Sequence, residues 1–212
     1  MQDEITVKNV SKSYKNTMVL KNVNLNIKKG MSCGLIGENG SGKTILMKTI
    51  CGFVNPDCGE IKVKGKIVGK DFDFPPDVGI IIENPGFSNY LSGIRNLENL
   101  ASIRKCIDKG KVKEIMKLVG LNPYDKKWVC NYSLGMRQRL GIAQAIMENQ
   151  DILILDEPLN GLDKKGVIDV RNILTSLKDK GVTMLISSHN TEDIDILCDE
   201  VYEMENGKIK RL

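Results

Sequence analysis

An apolar segment, Met31 to Ile36, runs straight into Gly37-Glu38-Asn39-Gly40-Ser41-Gly42-Lys43-Thr44 and on into a helical pattern ending near Gly52. The eight residues fit G-x-x-x-x-G-K-[ST], a phosphate-binding loop that lies between a buried strand and a helix. Its glycines let successive backbone N–H groups converge on phosphate oxygens, and the helix N-terminus behind them adds partial positive charge. In such a loop Lys43 reaches the β and γ phosphates and the Thr44 hydroxyl ligates Mg2+. A second segment, Ile152-Leu153-Ile154-Leu155-Asp156-Glu157, ends an apolar strand in two carboxylates. Loop and carboxylates together predict a site for a nucleoside triphosphate and its magnesium.

The rest of the chain supplies the matching framework. Met31 to Ile36, Val78 to Ile82, Asp151 to Leu155 and Val182 to Ser187 are short and continuously apolar, as strands covered on both faces are. They alternate with helical patterns at 43–52, 164–180 and 190–198, which predicts a phosphate-loop α/β fold with a parallel sheet. Ile5 to Val10, Val23 to Ile27 and Gly59 to Gly65 alternate apolar and polar residues and read as an antiparallel subdomain. Glu200 to Glu205 and Lys208 to Leu212 form a hairpin about Asn206-Gly207. Strand character disappears from Pro85 to Gln150, where helical patterns cover 91–105, 111–119 and 134–147. The expected organisation is one domain, with 1–84 and 151–212 forming the core and 85–150 an inserted helical subdomain.

A length of 212 residues with 41% hydrophobic residues suits one compact domain. The net charge of +4 is spread among acids, so composition predicts no nucleic-acid partner. Six cysteines lack C-x-x-C spacing and read as reduced core residues of a cytosolic protein. The longest apolar runs fall far below the roughly 18 residues of a membrane span, and the N-terminus has no signal core. The expected location is cytoplasmic, so any membrane-spanning part must come from another polypeptide.

The order of these features resembles the ATP-binding subunit of an ABC transporter over nearly the whole chain. Tyr14, the loop at 37–44, Glu83, Tyr132-Ser133-Leu134-Gly135-Met136, Asp156-Glu157, Leu162-Asp163 and His189 follow one another as that family arranges them. The resemblance implies ATP as the nucleotide, held by Gly37 through Ile45, with Tyr14 stacking on adenine. It implies Mg2+ held by Thr44, Asp156 and Glu83, Glu157 as general base, and His189 on the γ-phosphate and the attacking water. Ser133 and Gly135 would contact ATP bound to a second subunit, and Asp163 would cross the dimer interface.

Two departures stand out. Tyr132, Leu134 and Met136 replace the Leu, Gly and Gln of the usual L-S-G-G-Q signature, and Glu83 stands where Gln is common. The segment Ile82 to Phe87 resembles the bacitracin and lantibiotic export branch. The resemblance therefore implies an ATPase that drives transport through a separate multi-span membrane subunit, in a homodimer or a heterodimer with a similar ATPase. It would sit peripherally on the inner face of the membrane, with residues 84–91, Phe87 and Tyr90 among them, receiving the membrane partner. A soluble ABC ATPase of DNA repair or translation, and a nucleotide clamp with weak hydrolysis, are the alternative readings. Substrate identity belongs to the membrane subunit.

Overall fold

A computed structural model describes residues 3–83 and 85–212. Its elements, in chain order, are β1 (Asp3–Tyr14), β2 (Thr17–Lys28), β3 (Ser32–Ile36), α1 (Lys43–Ile50), β4 (Cys58–Val63), β5 (Lys66–Ile67), β6 (Val78–Ile81), α2 (Gly93–Arg104), α3 (Lys109–Leu118), α4 (Leu134–Ile146), β7 (Ile152–Asp156), α5 (Lys164–Asp179), β8 (Thr183–Ser187), α6 (Thr191–Leu197), β9 (Glu200–Glu205) and β10 (Lys208–Arg211). They form a four-stranded antiparallel sheet, β2-β1-β4-β5, and a six-stranded sheet, β10-β9-β3-β8-β7-β6. Within the larger sheet β9, β3, β8, β7 and β6 run parallel and only β10 opposes them.

The apolar runs are explained by burial on both faces. Along β7, Ile152 and Ile154 join a core shared with α1 and the antiparallel sheet, whereas Leu153 and Leu155 join the core beneath α2 to α5. Alternate side chains of a strand point to opposite faces, so a strand covered twice has no polar positions to spare. Among the described residues of 85–150 the helices are α2, α3 and α4, with a short 3-10 turn at Val129–Asn131 between α3 and α4.

Two features exceed the sequence expectation. β1 and β2 are each twelve residues long and pair from Asp3↔Lys28 to Tyr14↔Thr17, with register shifts between Val7 and Val10 and again between Val10 and Ser13. Such bulges offset the period-2 alternation, which is why only fragments of both strands stand out in the sequence. β9 belongs to the hairpin but also pairs in parallel with β3, Cys33 opposite Glu200. None of the six cysteines is disulfide-bonded; Cys33 and Cys51 are buried, whereas Cys58 and Cys106 are exposed and are not core residues as expected.

Candidate nucleotide site

The strand order brings the chemistry together. β3, β8, β7 and β6 lie side by side and point the same way, so the segments leaving their carboxyl ends share one rim. Those segments begin with Gly37, Ser188, Glu157 and Ile82. Such a rim is where open α/β sheets bind ligands.

The phosphate loop requires its glycines. Gly37 has φ 146°, and a Cβ there would lie 2.2 Å from the Met204 carbonyl oxygen. Gly42 has φ 114°, and its Cβ would meet the Val19 carbonyl at 2.9 Å. Gly42 precedes α1 without any side-chain cap, leaving the first-turn N–H groups of the helix for another acceptor. Lys43 is buried and its Nζ donates to the carbonyls of Gly37 at 2.6 Å and Glu38 at 3.0 Å. Ser41 Oγ is buried and has no hydrogen-bond partner. An uncapped helix end, an orphaned hydroxyl and a convergent ammonium fit a bound polyphosphate.

The carboxylates meet the loop directly. Thr44 Oγ1 donates to Asp156 Oδ2 at 2.7 Å, a donor pair whose oxygens suit Mg2+. Asp156 Oδ1 accepts from Ser187 Oγ at 2.6 Å, and the Glu157 N–H donates to the same Ser187 hydroxyl at 2.9 Å. Glu157 has φ 50°, uncommon for a residue with a side chain, and its carbonyl accepts from Gln138 Nε2 of α4 at 3.2 Å. His189 Nε2 stands 2.9 Å from Glu157 Oε1, an ion pair only when the ring is protonated, and that buried oxygen has no hydrogen-bond partner. Burial pushes the Glu157 carboxyl above the usual range, with neighbouring His189 opposing the shift in part. A raised pKa in a cleft suits a general base.

A pocket of about 230 Å³ is lined by Gly40, Gly42, Lys43, Thr44, Ile45, Asp156, Glu157 and His189, together with Val19 and Asn39. A second cavity borders Gly37, Glu38 and Ser41 and again reaches His189. Five expected site residues lie outside both. Tyr14 ends β1, is 44% exposed, and has Lys12 Nζ 5.6 Å from its ring centre. Ser133 caps α4, accepting from the Met136 N–H at 3.2 Å, and Gly135 follows in its first turn. Asp163 caps α5, accepting from the Gly166 N–H at 3.0 Å. Glu83 has φ 57° and is exposed; its Oε1 accepts from Lys48 Nζ at 2.7 Å.

Residues 20–160 match the family described as ABC transporter. The chain belongs to that family. An uncharacterized ABC transporter ATP-binding protein of Bacillus subtilis, YybJ, is 43% identical over 206 residues, which cover 97% of this chain and 94% of that protein. The bacitracin transport ATP-binding protein BcrA of Enterococcus faecalis is 39% identical over 211 residues, 99% of this chain and 68% of BcrA. A bacterial ABC transporter cassette solved as a dimer superposes with a TM-score of 0.87 at 26% identity, covering 98% and 97% of the two chains.

Within this ABC cassette, sequence reasoning missed Ser187 and the Lys48 partner of Glu83. Lys48 lies one helical turn beyond Thr44, so the ammonium that neutralises Glu83 belongs to the phosphate-loop helix itself. A negative charge near a triphosphate costs about 1 kcal/mol at 4 Å in water, or about fivefold in an equilibrium constant. Lys48→Met frees the Glu83 carboxylate to attract the cation and is therefore expected to lower the Mg2+ concentration for half-maximal ATP turnover about fivefold. The same change in a Glu83→Gln background should do much less. Equal effects in both backgrounds, measured by Mg2+ titration, would show that the ion pair has no part in metal dependence.

Proposed function

We propose that this chain is the ATP-hydrolysing subunit of an ABC exporter, acting as a dimer on a separate multi-span membrane subunit. The observation that carries this reading is the convergence of Lys43, the Thr44–Asp156 pair and the Glu157–His189 pair at adjacent strand ends. Bound Mg2+ would supply charge neutralisation at the β and γ phosphates, held by Thr44 and Asp156. Lys43 adds a fixed positive charge there. Glu157 accepts a proton from water as the water oxygen attacks the γ-phosphorus; the bond to the β–γ bridging oxygen breaks, releasing ADP and phosphate. His189 orients that water and the γ-phosphate.

The exposed caps fit a shared site. Ser133 and Asp163 are solvent-facing at the N-termini of α4 and α5, where a second copy's γ-phosphate would meet Ser133 and the amide groups of α4. We assign 85–150 as the helical subdomain that presents this signature. A transport role is supported by the likeness to BcrA, a bacitracin transport ATP-binding protein.

No helix among the described residues is long and apolar enough to cross a membrane. The membrane subunit fits a groove of about 410 Å³ lined by Phe53, Ile80, Ile82, Pro85, Gly86 and Ile103 among others. Phe53 and Ile103 at its edge are 53% and 76% exposed. Pro85 and Gly86 belong to the expected docking segment 84–91; within that segment Phe87 packs in part against the helical core, Tyr90 is 74% exposed beside the groove, and Asn84 lies outside the described residues. Ile103→Glu is expected to abolish co-purification with the membrane subunit and to leave ATP binding unchanged.

The decisive experiment follows phosphate release and dimerisation of purified protein with ATP and Mg2+, alone and with the membrane subunit. Hydrolysis with ATP-dependent dimers supports the reading. Monomers that bind ATP but release no phosphate in either setting would replace it with a nucleotide clamp.

A further inference from the structure

Ser187 is the last residue of β8 and is fully buried. The residues before it, Met184, Leu185 and Ile186, are buried and apolar, while the buried Ser188 after it is turned to Asp193 at 3.2 Å. It lies opposite Asp156 in the parallel β7/β8 ladder. From there one hydroxyl serves two site residues: it donates to Asp156 Oδ1 at 2.6 Å and accepts from the Glu157 N–H at 2.9 Å. The other Asp156 oxygen accepts from Thr44 Oγ1 at 2.7 Å. A continuous chain, Thr44–Asp156–Ser187–Glu157, therefore ties the phosphate-loop helix to β7 and β8.

The directions of these bonds matter. A serine hydroxyl has one proton and two lone pairs, so donating to Asp156 leaves a lone pair aimed at the Glu157 amide. Asp156 is gripped at both oxygens, which removes rotation about its carboxylate. Glu157 is gripped at both ends of its backbone, by Ser187 at N–H and by Gln138 at the carbonyl, in a left-handed conformation uncommon for a residue with a Cβ.

We propose that Ser187 is a positioning residue for ATP hydrolysis, its buried hydroxyl holding the metal-side carboxylate of Asp156 and the backbone of Glu157 in one fixed relation. The proposal rests on the hydrolytic reading above. Ser187 meets neither nucleotide nor attacking water; it acts through the two residues that do.

Ser187→Ala removes the shared hydroxyl with little change of volume. Its kcat for phosphate release is expected to fall about tenfold to hundredfold, as a displaced catalytic group does, with KM for ATP close to that of the unaltered protein. Ser187→Thr keeps the hydroxyl on a side chain that suits a strand and is expected to restore most of the rate. A fluorescent ATP analogue gives a readout independent of turnover. In EDTA the alanine variant should bind it as the unaltered protein does, while the gain in affinity on adding Mg2+ should shrink. Circular dichroism at the assay temperature establishes that each variant is folded. Should the alanine variant not fold, Ser187→Cys, similar in shape with a much weaker donor, takes its place in the same comparison.

Unaltered kcat together with an unaltered Mg2+ gain in a folded variant overturns the proposal. A folded threonine variant no better than alanine overturns it as well. If the unaltered protein releases no phosphate, the hydrolytic reading fails by itself. The Mg2+ gain then decides whether Ser187 orients Asp156.

Discussion

Glu157→Gln is expected to lower ATP turnover by about 10²–10⁴-fold, the range lost when a positioned general base is removed. The substitution keeps the side chain's size and removes the charge that accepts the water proton. The backbone has no reason to move: φ 50° suits Gln as well as Glu, and the contacts to Ser187 and Gln138 use main-chain atoms. ATP binding should persist, because Lys43, Thr44 and Asp156 keep their arrangement. Dimers formed with ATP should then accumulate on a sizing column, whereas the unaltered protein returns to monomers as it turns over. Stability gives an independent check with a definite sign. A carboxyl whose folded pKa lies above its unfolded value ionises more readily in the unfolded chain, so its charge lowers stability increasingly as pH rises from the unfolded to the folded pKa. The glutamine variant, without that cost, should melt no lower than the unaltered protein at pH 8 in metal-free buffer. The advantage should vanish below the unfolded carboxylate pKa. A variant with unaltered turnover would remove Glu157 from the role of base.

The sequence made some levels of this structure visible and hid others for physical reasons. The parallel strands were legible because burial on both faces of β7 leaves a run of apolar residues that few other environments permit. The loop was legible because Gly37 and Gly42 have backbone approaches that exclude a Cβ, and such positions write themselves into a spacing. The full lengths of β1 and β2 were hidden by bulges that break the alternation. The parallel pairing of β9 with β3 joins segments far apart in sequence, and no local pattern encodes it. At the site, Lys43, Thr44 and Asp156 were legible from type and spacing, because the loop and the acidic end of an apolar strand are local patterns, and the structure brings them together. Residues that act only through side-chain pairing were not legible. Lys48 finds Glu83 across 35 positions, and Ser187 sits in an apolar strand where a small polar residue reads as filler.

Gly79→Ala is expected to destabilise the fold by about 3 kcal/mol, at the upper end of the usual cost of overpacking a tight core. Gly79 lies in β6 and has no left-handed φ, so conformational freedom is not the reason for it. The reason is space. A Cβ there would lie 1.9 Å from the Ala145 carbonyl oxygen on α4 and 2.7 Å from Leu153 Cδ2, whereas ordinary contact begins at 3.4 Å. The Ala145 oxygen is helix backbone, so relief requires moving α4 or β6 as a unit. In an accommodating strand the same change would be favourable by about 0.5–1 kcal/mol, because alanine loses less chain entropy than glycine. For a chain of this size 3 kcal/mol corresponds to a melting temperature lower by about 6–12 °C. The effect should reach the site, since α4 also carries Gln138, whose Nε2 holds the carbonyls of Glu157 at 3.2 Å and Pro158 at 2.8 Å. Turnover per folded molecule should therefore fall along with stability. Gly86→Ala is the control, because a Cβ at Gly86 meets nothing within 4 Å. Indistinguishable melting curves for the two variants would mean that β6 and α4 do not need the contact that Gly79 permits, and that the signature helix is free to shift against the sheet without cost.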